Sequence, residues 1–266
     1  MCFFSIIAQL TNASASSGSQ FYHYVTLLSG QNFSTDTLCS EVNVSITLDV
    51  GYLTITAGNK KTEVETSHDS NHVDAIVGDF WKNDHCFIAV ENADAGANES
   101  YALYDASAQR DAISFTGSVE LTNPDFLNSQ VVNSYRDAAR TYTETLCYGE
   151  AIETPYVCEK AELLTDRIEK AKECKESGEC SSLGLVARGS REPLRAKVSS
   201  KKAFALEKTE SGFNKTGAYL IRNDVIKLLD FDDHGPKLRY LFLYRGKSQT
   251  TRAWIDADDL ALINHR

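Results

Sequence analysis

Val42, Val44, Ile46, Leu48 and Val50 alternate with Asn43, Ser45, Thr47 and Asp49. A period of two puts every apolar side chain on one face of an extended segment, and β-branched residues favour that conformation. Gly51 interrupts the pattern, and Leu53 and Ile55 resume it on a partner segment. Asn59-Lys60-Lys61 reads as a turn. Further strands are expected at Val73–Val77, Phe87–Val90, Tyr101–Tyr104, Ile113–Phe115 and Thr141–Tyr148. Many short strands separated by turns predict an all-β chain, arranged as a stack of sheets or a barrel. Residues 157–176 carry the Glu, Lys, Ala and Leu content of a helix. Yet Cys174 and Cys180 bracket a hairpin-like turn, and cysteines six apart on a helix lie too far apart to bridge. Strands are expected there as well.

The N-terminus reads as an export signal. Cys2-Phe3-Phe4-Ser5-Ile6-Ile7-Ala8-Gln9-Leu10 is a short apolar run, and Ala13-Ser14-Ala15 is a small-x-small cleavage site, although a basic first region is missing. The run is too short to cross a bilayer, which needs about 20 apolar residues. Residues 1–15 are therefore expected to be a signal peptide, and the protein to be exported to a periplasm without a membrane span.

Setting Cys2 aside leaves Cys39, Cys86, Cys147, Cys158, Cys174 and Cys180. An even number of cysteines in an exported chain predicts three disulfides. Short separations favour Cys147–Cys158 and Cys174–Cys180, which leaves Cys39–Cys86, but six cysteines permit other pairings. The spacings match no common zinc signature.

The net charge of −10 is unevenly distributed. Residues 193–266 hold 14 of the 27 basic and 9 of the 37 acidic side chains, leaving 13 and 28 for residues 1–192. An acidic body disfavours nucleic acid, whose phosphates are bound by clustered Lys and Arg. It suits a basic protein partner, because complementary charge speeds encounter. The same charge also serves solubility alone.

Val77-Gly78-Asp79-Phe80-Trp81-Lys82-Asn83-Asp84-His85-Cys86-Phe87-Ile88-Ala89-Val90 reads as strand, tight acidic loop, strand. Ser100-Tyr101-Ala102-Leu103-Tyr104, Asn123-Pro124-Asp125-Phe126 and Val132-Asn133-Ser134-Tyr135-Arg136 follow in order. In that order, residues 40 to 180 resemble a bacterial secreted family built on a degenerate calcium-loop (FG-GAP-like) repeat, which includes periplasmic inhibitors of lysozyme-like hydrolases. The resemblance implies a multi-stranded antiparallel, propeller-like sheet stack over residues 16–190. It also implies a partner-binding loop at 91–99, with Asp94, Asn98, Glu99 and Tyr101 as contact residues; a solvated surface loop is the competing reading. Gly96 stands where inhibitory members carry an aromatic anchor. In the calcium frame only Asp79 and Asn83 remain as oxygen ligands, and Trp81 and Phe87 occupy ligand positions, so the loop is expected to be a structural turn. His68 and His72 have helical metal-pair spacing but a polar, loop-like context. Neither a metal nor a cofactor is expected.

The tail continues with Ala218–Leu229, Leu238–Tyr244 and Arg252–Leu260. These segments resemble a bacterial SH3-like barrel, with Asn223 where a turn glycine is usual and Ala253 where a glycine usually precedes the tryptophan. The resemblance implies a second domain over residues 193–266, with Tyr219, Tyr240, Tyr244 and Trp254 as candidates for a peptide groove. Barrel core is the competing assignment for such aromatics, and the preferred one for Trp254. Leu185-Val186-Ala187-Arg188-Gly189-Ser190 is one residue away from a familiar protease-tag sequence and is read as native.

The chain contains no nucleophile elbow, phosphate loop or dinucleotide fingerprint, so no catalytic residue is singled out. The expected function is an exported immunity protein or inhibitor that neutralises a basic cell-wall hydrolase or toxin. The alternatives are an envelope adaptor that holds peptidoglycan or a peptide through the tail, and an unrecognised hydrolase.

Overall fold

The computed structural model describes residues 21–39, 41–66, 72–92, 98–127, 129–247 and 249–263. The expected signal peptide, Asp94, Gly96 and His68 lie outside them. The described chain is all-β, with one short 3-10 turn. β1 (Tyr22–Leu28) leads into a four-stranded meander of β2 (Asn32–Thr35), β3 (Val44–Asp49), β4 (Tyr52–Ala57) and β5 (Lys60–Glu65). β6 (His72–Gly78) then returns to pair with β1, and β7 (Phe87–Glu91), β8 (Ser100–Asp105) and β9 (Ser114–Thr122) complete a five-stranded sheet in the order β1-β6-β7-β8-β9.

β10 (Asp125–Leu127), β11 (Gln130–Asp137), β12 (Arg140–Gly149), β13 (Thr154–Leu163), β14 (Ile168–Cys174) and β15 (Cys180–Ala187) form a six-stranded meander in chain order. The last sheet contains β16 (Arg195–Val198), β17 (Lys202–Thr209), β18 (Gly212–Ile221), β19 (Val225–Asp232), β20 (Arg239–Arg245), β21 (Thr250–Asp256) and β22 (Leu260–Leu262). Its order is β18-β17-β21-β20-β19-β16-β22.

Alternation in the sequence marks the layer with one wet face. β3 and β4 bury Val44, Ile46, Leu48, Leu53, Ile55 and Ala57 and turn their threonines outward. β6 and β7 do not alternate because both of their faces are covered. Ala75, Val77, Ile88 and Val90 meet the four-stranded sheet, whereas Ile76, Phe87 and Ala89 pack with Phe126, Val131 and Leu146 of the six-stranded sheet. The expected stack of antiparallel sheets is thus present, with the five-stranded sheet in the middle. Fully burying each of these valine, leucine and isoleucine side chains contributes roughly 1.5–3 kcal/mol. Gly78 has no room for a side chain, because a Cβ there would lie 2.2 Å from the Phe21 carbonyl oxygen.

Several expectations need correction in detail. The turn after β4 is Gly58-Asn59, and Lys60 and Lys61 already belong to β5. The charged alternation of β5 suits an edge strand, since it discourages pairing with a second chain. Residues 157–176 are strand, in β13 and β14, because ladder pairing on both sides outweighs helix propensity. The tail is not a closed barrel. Its sheet ends at β18 and β22, and β17 meets β21 in register at a single pair, Leu206 and Trp254. Asn223 does adopt the left-handed backbone, with φ +77°. After β21 a 3-10 turn, Ala257–Asp259, runs into β22.

Residues 185–194 stitch the two halves together. Leu185 and Val186 are buried within β15, the Leu194 N–H donates to the Leu185 carbonyl at 2.7 Å, and Val186 bridges Pro193. Ile168 and Leu185 share a core with Ala196, Leu228 and Phe242. Gly184, at φ +87°, lets the Leu228 and Leu229 carbonyls approach to 3.3 Å of where a Cβ would sit. The three cysteine pairs are Cys39–Cys86, Cys147–Cys158 and Cys174–Cys180. The first ties the outer sheet to the middle one, and the others staple the β12–β13 and β14–β15 hairpins.

Candidate functional site

The acidic loop after β6 is a structural pin. Asp79 Oδ1 accepts the Asn83 N–H and Oδ2 accepts the Asp84 N–H, each at 3.0 Å. Both carboxylate oxygens therefore close the loop on itself, and Asn83 Oδ1 accepts the His85 N–H at 3.3 Å. Left-handed Lys82 and Asp84 complete the turn. Phe80 and Trp81 drop into the core, and Trp81 Nε1 donates to the Leu146 carbonyl at 3.1 Å. Among the described residues no group of three His, Cys, Asp or Glu side chains is arranged to hold a metal ion.

His85, Ser107 and Asp105 lie together, with the Ser107 hydroxyl 3.2 Å from His85 Nδ1, but not in the order of a triad. Asp105 bonds the Ser107 hydroxyl directly rather than the imidazole, and it also holds Arg110 at 2.7 Å. Ser107 is 1% exposed, and its oxygen already accepts the Cys86 N–H at 2.9 Å. The cluster locks the chain around the Cys39–Cys86 disulfide.

The β7–β8 hairpin is the neck of the expected partner-binding loop. Tyr101 is 3% exposed and belongs to the second core, so it is not a contact residue. Asn98 is turned inward: its Oδ1 accepts the Arg136 N–H and an Asn123 amide hydrogen, both at 3.3 Å, while its own amide donates to the Arg136 carbonyl. Its work is to anchor the hairpin to the six-stranded sheet. Glu99 is exposed, as expected of a contact residue. The Tyr101 hydroxyl is pushed above the usual phenol range by burial first, and then by the carboxylates of Glu99, Glu91 and Asp74. Glu91 faces Tyr101 across the β7–β8 ladder and Glu99 accepts its hydroxyl at 3.4 Å, so carboxylates gather at this end of the five-stranded sheet.

In the tail, the four candidate aromatics divide. Tyr219, 51% exposed, and Tyr244 line one cleft of about 360 Å³, with buried Phe242 at its base and Gly246, Gln249 and Thr251 along one side. Lys202 Nζ stands 4.0 Å from the Tyr219 ring centre, and the Tyr244 hydroxyl donates to Asp224 at 3.3 Å. Tyr240, 6% exposed, is core. Trp254 pairs with Leu241 rather than with an inward residue of β20, and its ring meets Phe213 edge-on at 5.4 Å. Neither Tyr240 nor Trp254 belongs to the cleft.

A second cleft was not anticipated from the residue types. It crosses the six-stranded sheet between the five-stranded sheet and the tail. Two hollows of about 520 and 240 Å³ share Tyr135, Glu144 and Lys160. Ladder register places Asn133, Glu144, Lys160 and Lys172 in one row, and Tyr135, Tyr142, Glu162 and Lys170 in the next. The Tyr135 hydroxyl is raised by burial and by Glu144, which accepts its hydrogen at 3.4 Å. One end of this face is covered by the second core, at Val131 and Leu146. The other is closed by ion pairs to the tail, Lys170 with Asp230 at 2.8 Å and Arg140 with Asp233 at 3.0 Å. Alternation of polar and aromatic residues in β11 and β12 was the available signal, but only strand pairing reveals that the rows coincide.

Comparison with known proteins gives no match to a family model, a curated protein or a solved structure.

Proposed function

We propose that this is an exported binding protein that neutralises a basic cell-wall hydrolase or toxin in the manner of an immunity protein. The observation that carries the reading is the gathering of carboxylates at the neck of the β7–β8 hairpin, where Glu91 faces Tyr101 across the ladder and Glu99 accepts the Tyr101 hydroxyl at 3.4 Å. Their potential steers a basic enzyme towards the hairpin, and a neck held by Asn98 and Asn123 limits the ordering cost of binding. Three disulfides are compatible with an oxidising compartment such as the periplasm. No helix among the described residues is long and apolar enough to cross a membrane.

The test is association with purified basic lysozyme-like hydrolases at low and high salt. Binding should weaken with salt and fall at least about tenfold, or about 1.4 kcal/mol, in Glu99→Lys. Absence of a complex with every enzyme tried, or a complex indifferent to salt and to Glu99→Lys, defeats the reading. One observation favours the adaptor alternative: Tyr219 and Tyr244 share an open cleft. Retention on purified peptidoglycan that is lost in Tyr219→Ala and Tyr244→Ala would establish that second reading instead.

A further inference from the structure

We propose that the cleft across the six-stranded sheet is a carbohydrate site, taking a short neutral oligosaccharide against the Tyr135–Tyr142 pair. These tyrosines lie directly opposite one another on β11 and β12, with ring centres 5.5 Å apart and planes inclined by 22°. Both are partly exposed and together line the smaller hollow. The two rings are stacked, and the outward ring face of the stack offers an electron-rich surface to the polarised C–H groups of a pyranose ring.

The charge arrangement selects against an ionic ligand. Glu144 pairs with Lys160 at 2.8 Å, and Glu162 pairs with Arg140 at 2.6 Å. Glu120 and Lys172 make no ion pair among the described residues, but their charges are opposite and they line different hollows. No single sign of potential therefore fills the cleft. Strong hydrogen-bonding capacity remains, because an ion-paired carboxylate keeps free lone pairs and an ammonium keeps free N–H groups. A sugar hydroxyl both donates and accepts, so a Glu–Lys pair satisfies it from either side. Apolar ligands fit poorly, since Val119, Leu146 and Val157 are the only aliphatic side chains of the larger hollow. Rows running from β11 to β14 span three strand spacings, about 14 Å, which suits an oligomer better than a single sugar. This inference stands independently of the hydrolase reading, which uses the hairpin acids.

The experiment titrates the full, disulfide-bonded chain by calorimetry with three soluble tetrasaccharides, built from β-1,4-linked N-acetylglucosamine, β-1,4-linked glucose and α-1,4-linked glucose. Saturable binding of at least one is expected. Tyr142→Ala should weaken it about tenfold, or about 1.4 kcal/mol, and Tyr142→Phe should preserve it. Glu144→Gln, which keeps volume, should weaken it several-fold and carries the test if Tyr142→Ala fails to fold. Lys61→Ala, on the exposed edge strand β5, should leave it unchanged. No binding of any of the three sugars overturns the assignment. So does binding that survives Glu144→Gln and Tyr142→Ala, or a cleft that takes inorganic phosphate in preference to all three.

Discussion

Removing the Cys39–Cys86 bridge by paired alanine substitution tests how the outer sheet is held to the middle one. The two cysteines are 47 residues apart, and each is 1% exposed within the first core. Cross-linking so long a loop removes roughly 4 kcal/mol of conformational freedom from the unfolded chain. The Cys174–Cys180 pair closes a separation of only 6, with Cys180 exposed, and the same relation yields roughly 2 kcal/mol. Loss of the buried sulfur atoms adds a cavity cost at both cysteines of the first pair but only at Cys174 of the second. At about 2–4 °C per kcal/mol for a chain of this size, Cys39→Ala with Cys86→Ala should lower the melting temperature by roughly 8–16 °C. Cys174→Ala with Cys180→Ala should lower it by about half as much. Calorimetry provides one readout, and urea unfolding followed by fluorescence of buried Trp81 provides a second. The reasoning is refuted if the long-range pair costs no more than the hairpin pair.

Three further outcomes are expected. Asn133, 1% exposed, accepts the Thr122 N–H at 3.0 Å and donates to the Glu120 carbonyl at 2.8 Å. Asn133→Ala leaves both backbone groups unpaired and should cost about 2–5 kcal/mol in urea unfolding; Asn133→Asp, which sets oxygen against oxygen, should cost more. The Lys208 ammonium holds the Asp232 carboxyl below the usual range, aided by the His234 N–H and opposed by burial. The folded protein thus resists protonation more than the unfolded chain, whose carboxyl titrates near about 3.9, so this stability is complete above about pH 5 and lost as pH falls through the folded value. Asp232→Asn should cost roughly 1 kcal/mol at pH 7, since Lys208 is half exposed and screened, and progressively less as pH falls through the folded value. Burial raises the Glu169 carboxyl, against the Gly189 N–H and Arg188. Its folded form holds a proton more tightly than the unfolded chain, so stability declines as pH climbs past about 4.3. Glu169→Gln should therefore gain in melting temperature relative to the parent between pH 4 and pH 7.

The legible parts of the fold are those where local pattern and burial agree. Period-two alternation located β3 and β4 because one face of that sheet is wet. The short apolar runs at Val73–Val77 and Phe87–Val90 were recognisable as strands, but not as the middle layer, because a run cannot say what covers each side. Turn chemistry was equally local: Asp79 and Asn83 close their own loop, and Asn223 takes the left-handed backbone. Inside and outside stayed open, or were read wrongly, wherever partners distant in sequence decide them. Tyr101 and Tyr240 are core, Asn98 faces an adjoining sheet, and Trp254 lies apart from the cleft that Tyr219 and Tyr244 line.

Read alone, the chain determined its class, its strand periodicity, its acidic body and a cysteine set suited to three bridges, since each depends on neighbours within a few residues or on composition. Tertiary structure decided that the tail sheet stays open, that residues 185–194 join the halves through a shared core, and that Tyr135, Tyr142, Glu144 and Lys160 meet across one cleft. Those outcomes turn on strand register and on which sheet covers which face. Both are set by packing summed over contacts far apart in sequence, and no short window of residues contains that information.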